Sequence, residues 1–493
     1  MSSYFRNAVR CLSLVLPGLL MLGNIHLSAQ DSKPLQIGSN RELFVDQYLI
    51  EKLNNVAQEL HTPRNEGVVL KFDNPWEGNF SGYCTIIKDS NQYKLYYRGI
   101  RDAGKDGNDN EVTCYAQSPD GINWTKPNLG IYTINGTTDN NVILAHAAPA
   151  THNFSPFLDA NPNAKAGERF KAVGGTDKTG LFAFVSADGI HWKKTQEAAV
   201  FKTGVFDSQN VAFWSVSEKQ YVCYFRTWSD GGFTQYKGFR SVSRTTSKDF
   251  INWAAPVKMT FGDAPLDHLY TNQTSPYFRA PHIYLAIGAR FMPNRQVVSD
   301  VQAAALNVNP KYYKDCSDAI IMSTRGGSNY DRTFMESFIR PGIGLENWVS
   351  RSNYPVLNVV QTSPTEISVY VNESYAQPSA HIKRYSLRLD GFASLKGDFK
   401  GGEVITKPFV FKGKELEINY ATSAAGYVRI EILNAKGKPV PGYTFNDSQE
   451  IIGNEIKRIV SWNGKEDVSS LEGKPVMLKV YLKDADLYSL KFN

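Results

Sequence analysis

Three acids stand in settings that suit proton transfer: Glu77 in "NPWEG", Asp207 in "FDSQN" and Glu366 in "SPTEISVY". Each sits where a polar cluster gives way to a strand-like run. Two carboxyl groups held in one pocket can divide the work of hydrolysis, one protonating a departing oxygen while the other activates water or attacks. Around them stand side chains that suit a hydroxyl-rich, flat-faced ligand. Trp76 beside Glu77 offers a stacking ring, and "HNFSPFLD" offers His152, Asn153 and Asp159. Asn210 follows Asp207, and "LYTNQTSPYFRAP" supplies Tyr270, Asn272 and Arg279. Asp46, inside "LFVDQYLI", is a charge among apolar residues. Such a charge is costly unless paired, so it marks either a functional group or a structural ion pair. Each of the three acids also has a bland reading: Asp207 caps a turn before "VAFW", Glu366 faces solvent, and Glu77 is a loop acid near a core Trp. Arg98, Arg226, Arg279 and Arg290 suit forked hydrogen bonds to acids or hydroxyls, or tie neighbouring units together.

These residues are scattered over three hundred positions, so only the fold can gather them. A repeat shows how. "SPDGINW" at 118–124, "SADGIHW" at 186–192 and "SKDFINW" at 247–253 are near copies. A weaker fourth, "STRGGSNY", spans 323–330, and a fifth unit ends near "LRLDGF". Each follows a short alternating or aromatic-rich run, the mark of a strand. Ser and Asp can hold backbone N–H groups two or three residues on, and Gly supplies a positive φ. Phe250 replaces Gly in the third copy, which predicts a different turn there. Units of this length, each with several strands and a fixed turn, predict a β-propeller of five blades between Arg64 and Leu395. The segment 41–50 either leads into the first blade or closes the ring. If the repeated turn joins a blade's third and fourth strands, the next innermost strand starts at the opposite face, beside the axis. The five starts then surround one pocket, and they are the stretches that carry the candidates above. Glu336 falls on an outer strand and is secondary.

The rest of the chain sets bounds. Arg6 and Arg10 precede the apolar run "CLSLVLPGLLMLG", and "LSAQ" follows at 27–30. Residues 1–30 therefore read as a secretory signal peptide, too short for a membrane span. This predicts export, to the periplasm or the cell exterior, and no membrane span in the mature chain. The formal charge of +6 falls to +4 once those two arginines depart, and no basic run occurs, so nucleic acid is not an expected partner. Four cysteines remain after the signal: Cys84, Cys114, Cys223 and Cys316. They read as small apolar residues inside strands, with a Cys84–Cys114 bridge left open. No His/Asp cluster has metal-ligand spacing and no nucleophile elbow occurs, so neither a metal, a cofactor nor a serine triad is expected. After "LKGDFKGGE" the pattern changes to long alternating strands, "ELEINYATS", "YVRIEILNAKGKPV" and "PVMLKVYLKDADLYSLKF". The whole is thus expected to be all-β: signal peptide 1–30, a five-bladed propeller over 31–398, and a β-sandwich over 399–493. The sandwich's one Trp, Trp462, reads as core.

"NPWEG", "YKLYYRG" and "SPDGINWTKPNLG" resemble the five-bladed β-propeller glycoside hydrolase superfamily. More narrowly, "ELFVDQYLIE", "FDSQNVAFW", "YTNQTSPYFRAPHIYL", "FIRPG" and "LKDADLYSLKF" resemble exported bacterial proteins described as glycosyl hydrolase family 32 N-terminal-like. The resemblance covers nearly the whole chain after residue 30. It implies a carbohydrate substrate and cleavage of glycosidic bonds by paired carboxylates, about 5–5.5 Å apart for retention and farther for inversion. The invertase-type signatures "NDPNG" and "RDP" are missing, and the sialidase turn is not matched because Gly follows Asp directly. A carbohydrate-binding propeller without catalysis and a glycoside phosphorylase, which needs a basic cluster for phosphate, are the alternatives. The sequence leaves the oligomeric state undefined.

Overall fold

The structure, a computed structural model, describes residues 33–101 and 104–493. The expected signal peptide, residues 1–30, lies outside the described residues.

Five small antiparallel sheets surround one axis. Blade 1 runs Gly82–Asp89, Gln92–Gly99, Val112–Ser118, Val142–Leu144 from the axis outward, and blade 2 runs Ser155–Leu158, Phe170–Thr176, Gly180–Ser186, Lys193–Lys194. Blade 3 comprises Val211–Ser215, Gln220–Trp228, Arg240–Ser247 and Val257–Lys258. Blade 4 is built from Thr274–Tyr277 with His268–Thr271, then Ala280–Met292 and Cys316–Thr324. In blade 5, Val360–Ser363 and Tyr354–Pro355 lie innermost, followed by Glu366–Glu373 and His381–Arg388. Its outermost strand is Arg64–Lys71, from the other end of the chain. That strand closes the ring. The stretch 41–50, expected either to enter the first blade or to close the circle, does neither.

The repeated turn joins the third and fourth strands, as its position predicts. In the first copy Ser118 Oγ accepts from the N–H groups of Asp120 (3.2 Å) and Gly121 (2.9 Å), and Asp120 Oδ1 accepts from those of Ile122 and Asn123, both at 2.8 Å. Gly121 has φ +77°, and the Trp124 indole closes the loop by donating to the Gly121 carbonyl at 3.1 Å. Residues 186–192 repeat every one of these bonds. The third copy was expected to be of a different turn type and is not, although the Trp253 indole makes no bond like those of Trp124 and Trp192. Phe250 takes φ +69° and keeps the same Ser247 and Asp249 bonds. Its ring is buried among Phe157, Tyr221 and Trp253, and that packing offsets the strained backbone.

The remaining strands form one ten-stranded sheet. Its spine is the pair Leu416–Asn434 and Val476–Phe492, bent by bulges between Asn419 and Tyr420 and between Thr422 and Tyr427. Bulges let one sheet curl around its own apolar face. Alternate residues, Ile418, Tyr420, Val428, Ile430, Leu478 and Val480 among them, fill a single core with Trp462. The boundaries 31–398 and 399–493 shift accordingly. Leu35–Gly38, Glu42–Leu43, Ile50–Asn54 and Val56–Leu60 all pair with strands of this sheet, as does Ala393–Gly397. The module is made by both ends of the chain.

It packs against the face where the innermost strands end, below blades 4 and 5. Asp390, fully buried, is the centre of that contact: it receives Arg279 (3.2 Å), Arg41 (3.5 Å), the Tyr277 hydroxyl (2.8 Å) and the Ser489 hydroxyl (2.8 Å). The innermost strands start at the opposite, upper face. All four described cysteines are free and buried, so Cys84 and Cys114 form no bridge.

Candidate functional site

At the upper face the five strand starts converge as expected, over a sealed floor. Gln209 donates to Thr85 Oγ1 (2.9 Å) and accepts from Gln273 (2.8 Å), which also reaches the Pro355 carbonyl (2.9 Å). Four blades are thereby sewn together across the axis. The site is a basin, not a channel.

Asp207 sits on the basin wall with its side chain 23% exposed and its carboxylate paired with Arg226. Burial alone lowers the Arg226 pKa; Asp207, Tyr270 and Tyr83 outweigh it and leave the guanidinium above its ordinary value. The turn that carries Asp207 is held by its own polar neighbours. Asn210 donates to the Phe206 and Ser208 carbonyls (3.1 and 3.0 Å), and Ser208 donates to the Tyr270 carbonyl at 2.7 Å. The Asp207 carbonyl accepts from Tyr83 (3.0 Å) and from His152 Nε2 (3.3 Å). His152 Nδ1 lies 2.9 Å from Glu111 and 3.1 Å from Arg98, so blades 1, 2 and 3 meet at one imidazole. Glu111, only 3% exposed, is a positioning group for that ring.

A second accessible acid comes from the hairpin between the second and third strands of blade 2. Asp177 is exposed and accepts from the Tyr236 hydroxyl at 3.0 Å. Burial, then Asp207, then Asp177 push the Tyr236 pKa up, so two carboxylates from adjacent blades bear on one phenol. Aromatic rings line the rest. Tyr270 packs on Tyr354 with centroids 5.0 Å apart, Tyr312 on Tyr375 at 5.8 Å, and Trp228 on Tyr236 at 5.7 Å. Guanidinium groups crowd them: Arg98 lies 4.8 Å from the Tyr83 ring, and Arg226, Arg240 and Arg351 lie 5.0, 5.5 and 5.2 Å from the ring of Tyr270.

Of the residues singled out in sequence, Asp207, His152 and Tyr270 meet here, with Arg98, Arg226 and Tyr83. The others do not reach the basin by their functional atoms. Glu77 has no exposed side-chain surface and is bound by Lys126 (2.6 Å) and Tyr97 (2.6 Å), inside blade 1. Neighbouring Trp76 donates to Asn141 at 2.8 Å and packs on the blade 1 core. Glu366 begins a second strand, not an innermost one, and therefore lies at the lower face, paired with Arg384 (3.1 Å) and Arg64 (3.3 Å). The innermost strand of blade 5 is the short run just before it. Asp46 pairs with Arg325 (2.7 Å), which also takes Glu42 (2.8 Å): it is a structural ion pair of the lower module. Arg279 belongs to the same interface. Arg290 pairs with Asp318 at 2.6 Å within blade 4. Asn153 and Asn272 serve the backbone: Asn153 donates to the Gly175 and Ser208 carbonyls (2.9 and 2.8 Å), and Asn272 accepts from Thr274 N–H at 3.0 Å.

Sequence reasoning missed Glu111, Asp177, Arg240, Arg351, Tyr354 and Tyr375. The signal was available. Second strands end, and third strands start, at the same upper face, so the hairpins between them open on the basin too. Among the described residues no three His, Cys, Asp or Glu side chains are grouped to hold a metal ion, and no helix is long and apolar enough to cross a membrane.

No family model matches the chain. No curated protein matches it either. Similar solved structures include a protein described as BT0996 in complex with RGII, at 11% identity, covering 66% of this chain and 92% of that one, TM-score 0.41. Another is a glycoside hydrolase family 43 arabinoxylan arabinofuranohydrolase from Bacillus subtilis in complex with cellotetraose, at 10% identity, covering 86% and 99%, TM-score 0.41. A third is an N-acetylgalactosamine deacetylase from F. plautii in complex with blood group B trisaccharide, at 11% identity, covering 69% and 96%, TM-score 0.39.

Proposed function

We propose that this chain is an exported glycoside hydrolase whose reaction takes place in the upper basin, with Asp207 and Asp177 as its carboxylate pair. The observation that carries the reading is that two acids from adjacent blades stand on this wall, Asp177 accepting from the Tyr236 hydroxyl at 3.0 Å and Asp207 paired with Arg226. Asp207 stands against a fixed cation, Arg226, which holds its carboxylate in one place and suits a group that activates water or attacks carbon. Asp177, on a hairpin at the rim, suits proton donation to the leaving oxygen. Tyr83, Tyr270 and Tyr354 supply flat faces for sugar rings, and the hydrogen-bonded floor keeps the ligand at the upper face. Export belongs to the same reading: residues 1–30 direct the chain out of the cytoplasm, where polysaccharide is met.

The test is release of reducing sugar from a broad oligosaccharide panel by the mature chain, Asp207→Asn and Asp177→Asn. Acid–base groups contribute about 10²–10⁴-fold, so each variant should lose at least about 100-fold in kcat while its circular dichroism spectrum is unchanged. Cleavage that survives both substitutions would remove these acids from the mechanism.

A further inference from the structure

Two of the basin's four arginines stand without a polar side-chain partner among the described residues. Arg98 is bonded to the Phe80 carbonyl (2.8 Å), Tyr375 (3.1 Å) and His152, and Arg226 to Asp207. Arg240 and Arg351, among the described residues, make neither an ion pair nor a side-chain hydrogen bond, and the Nε atoms of both are buried without a partner. The Tyr354 hydroxyl beside them is likewise buried and unpartnered, as are Nε and Nη1 of Arg226.

Rings hold these two side chains in place. Arg240 lies 4.8 Å from the ring centres of both Trp228 and Phe291, and Arg351 lies 4.8 Å from that of Tyr312. Stacking fixes a guanidinium by its face and leaves its N–H edge available for a planar or tetrahedral oxyanion. Arg226, Arg240 and Arg351 all lie within 5.5 Å of the centre of the Tyr270 ring. Three like charges so close repel one another, and cation–π attraction offsets little of the cost of burying them. The Arg240 pKa is lowered, by burial first and by Arg226 next. Of the acids around the basin, Asp207 and Glu111 are engaged by Arg226 and by His152, while Asp106 and Asp177 are exposed and make no ion pair with either arginine among the described residues. A cluster of guanidinium groups that is costly by itself and held by rings at the site suits a negative ligand.

We propose that Arg240 and Arg351, with the Tyr354 hydroxyl, form an oxyanion subsite of the basin, one that takes the carboxylate of an acidic sugar residue. The source of the anion rests on the hydrolase reading above; the subsite itself does not. Inorganic phosphate carries the same chemistry and is the other source.

Ligand-induced thermal stabilisation of the mature chain tests this without turnover. The probes are a mixture of oligogalacturonides, the same mixture with its carboxyl groups reduced to alcohols, and sodium phosphate at matched ionic strength. The wild type should be stabilised by the acidic oligosaccharides and not by the reduced ones. In the Arg240→Gln/Arg351→Gln variant the apparent affinity should fall by about tenfold or more, the loss of charged hydrogen bonds. Without ligand the variant should melt close to wild type, because the stacking it loses is offset by relief of the repulsion among the three guanidinium groups. Asp207→Asn should keep the anion response. Stabilisation by phosphate alone would keep the subsite and reassign its anion to free phosphate, overturning the acidic-sugar source. Equal responses in wild type and variant, or no response to either anion, would overturn the subsite. Cleavage of neutral glycans with no anion response would overturn the subsite alone. Anion binding with no glycan cleaved would sink the hydrolase reading and leave the subsite standing.

Discussion

Glu77→Gln separates a buried structural acid from a catalytic one. The Glu77 carboxylate accepts from Lys126 Nζ at 2.6 Å, from Tyr97 at 2.6 Å and from the Asn74 N–H at 3.1 Å. The amide has nearly the same shape. Its oxygen can keep the Tyr97 bond, but its NH2 group then meets Lys126, donor against donor. Breaking a buried pair on one side costs about 3–5 kcal/mol, mostly because the other charge is left uncompensated. Lys126 is not wholly abandoned: it retains Asp73 at 2.8 Å and the Lys71 carbonyl at 2.6 Å. The low end, about 3 kcal/mol, is therefore expected. The urea midpoint of the first unfolding transition should fall, while kcat/KM for whichever glycan is cleaved should stay within about twofold, since no bond to the basin is touched. Stability unchanged with activity lost would refute the reasoning and return Glu77 to the active site.

Two further outcomes follow from the same bonds. Asp390→Ala removes the acceptor shared by Arg41, Arg279, Tyr277 and Ser489, and should cost about 3–5 kcal/mol, seen calorimetrically as separate melting of propeller and lower module; a single transition at the wild-type temperature would count against this contact. The repeated turns should also set an acid limit. In Asp120 burial is outweighed by the Asn123 and Ile122 N–H groups, which hold the carboxyl at about 2 against an ordinary 3.8. In Asp249 the Asn252 N–H is the leading cause, with the same result of about 2. Acids depressed on folding add stability that is complete above pH ~4 and disappears as pH falls toward 2. Urea midpoints should drop across that window, less steeply in Asp120→Asn/Asp249→Asn, and equal slopes would exclude the turns as the cause.

What could be read from the sequence was what is local or repeated. The Ser-x-Asp-Gly turn is made by seven consecutive residues, so its hydrogen bonds are written in their order, and three copies fix the blade period. From that period alone the starts of the innermost strands followed, and with them Asp207, His152 and Tyr270. The rule slipped in blade 5, where the innermost strand is four residues with a partner of two, too short to show alternation, and Glu366 was taken for its start. The closing strand 64–71 and the N-terminal strands of the lower module were hidden for another reason. Their partners lie more than 300 residues away, and a single alternating strand carries no mark of which edge it will join. That also explains why Asp46 and Arg279 looked like ligand groups. A charge that will be paired across a distant interface is indistinguishable, in one dimension, from one held for chemistry. The reverse error hid Arg240 and Arg351. Each sits in an ordinary strand or loop context, and only the fold reveals that, among the described residues, no acid pairs with it. A charge without a partner is a property of three dimensions, and no pattern of neighbouring residues announces it.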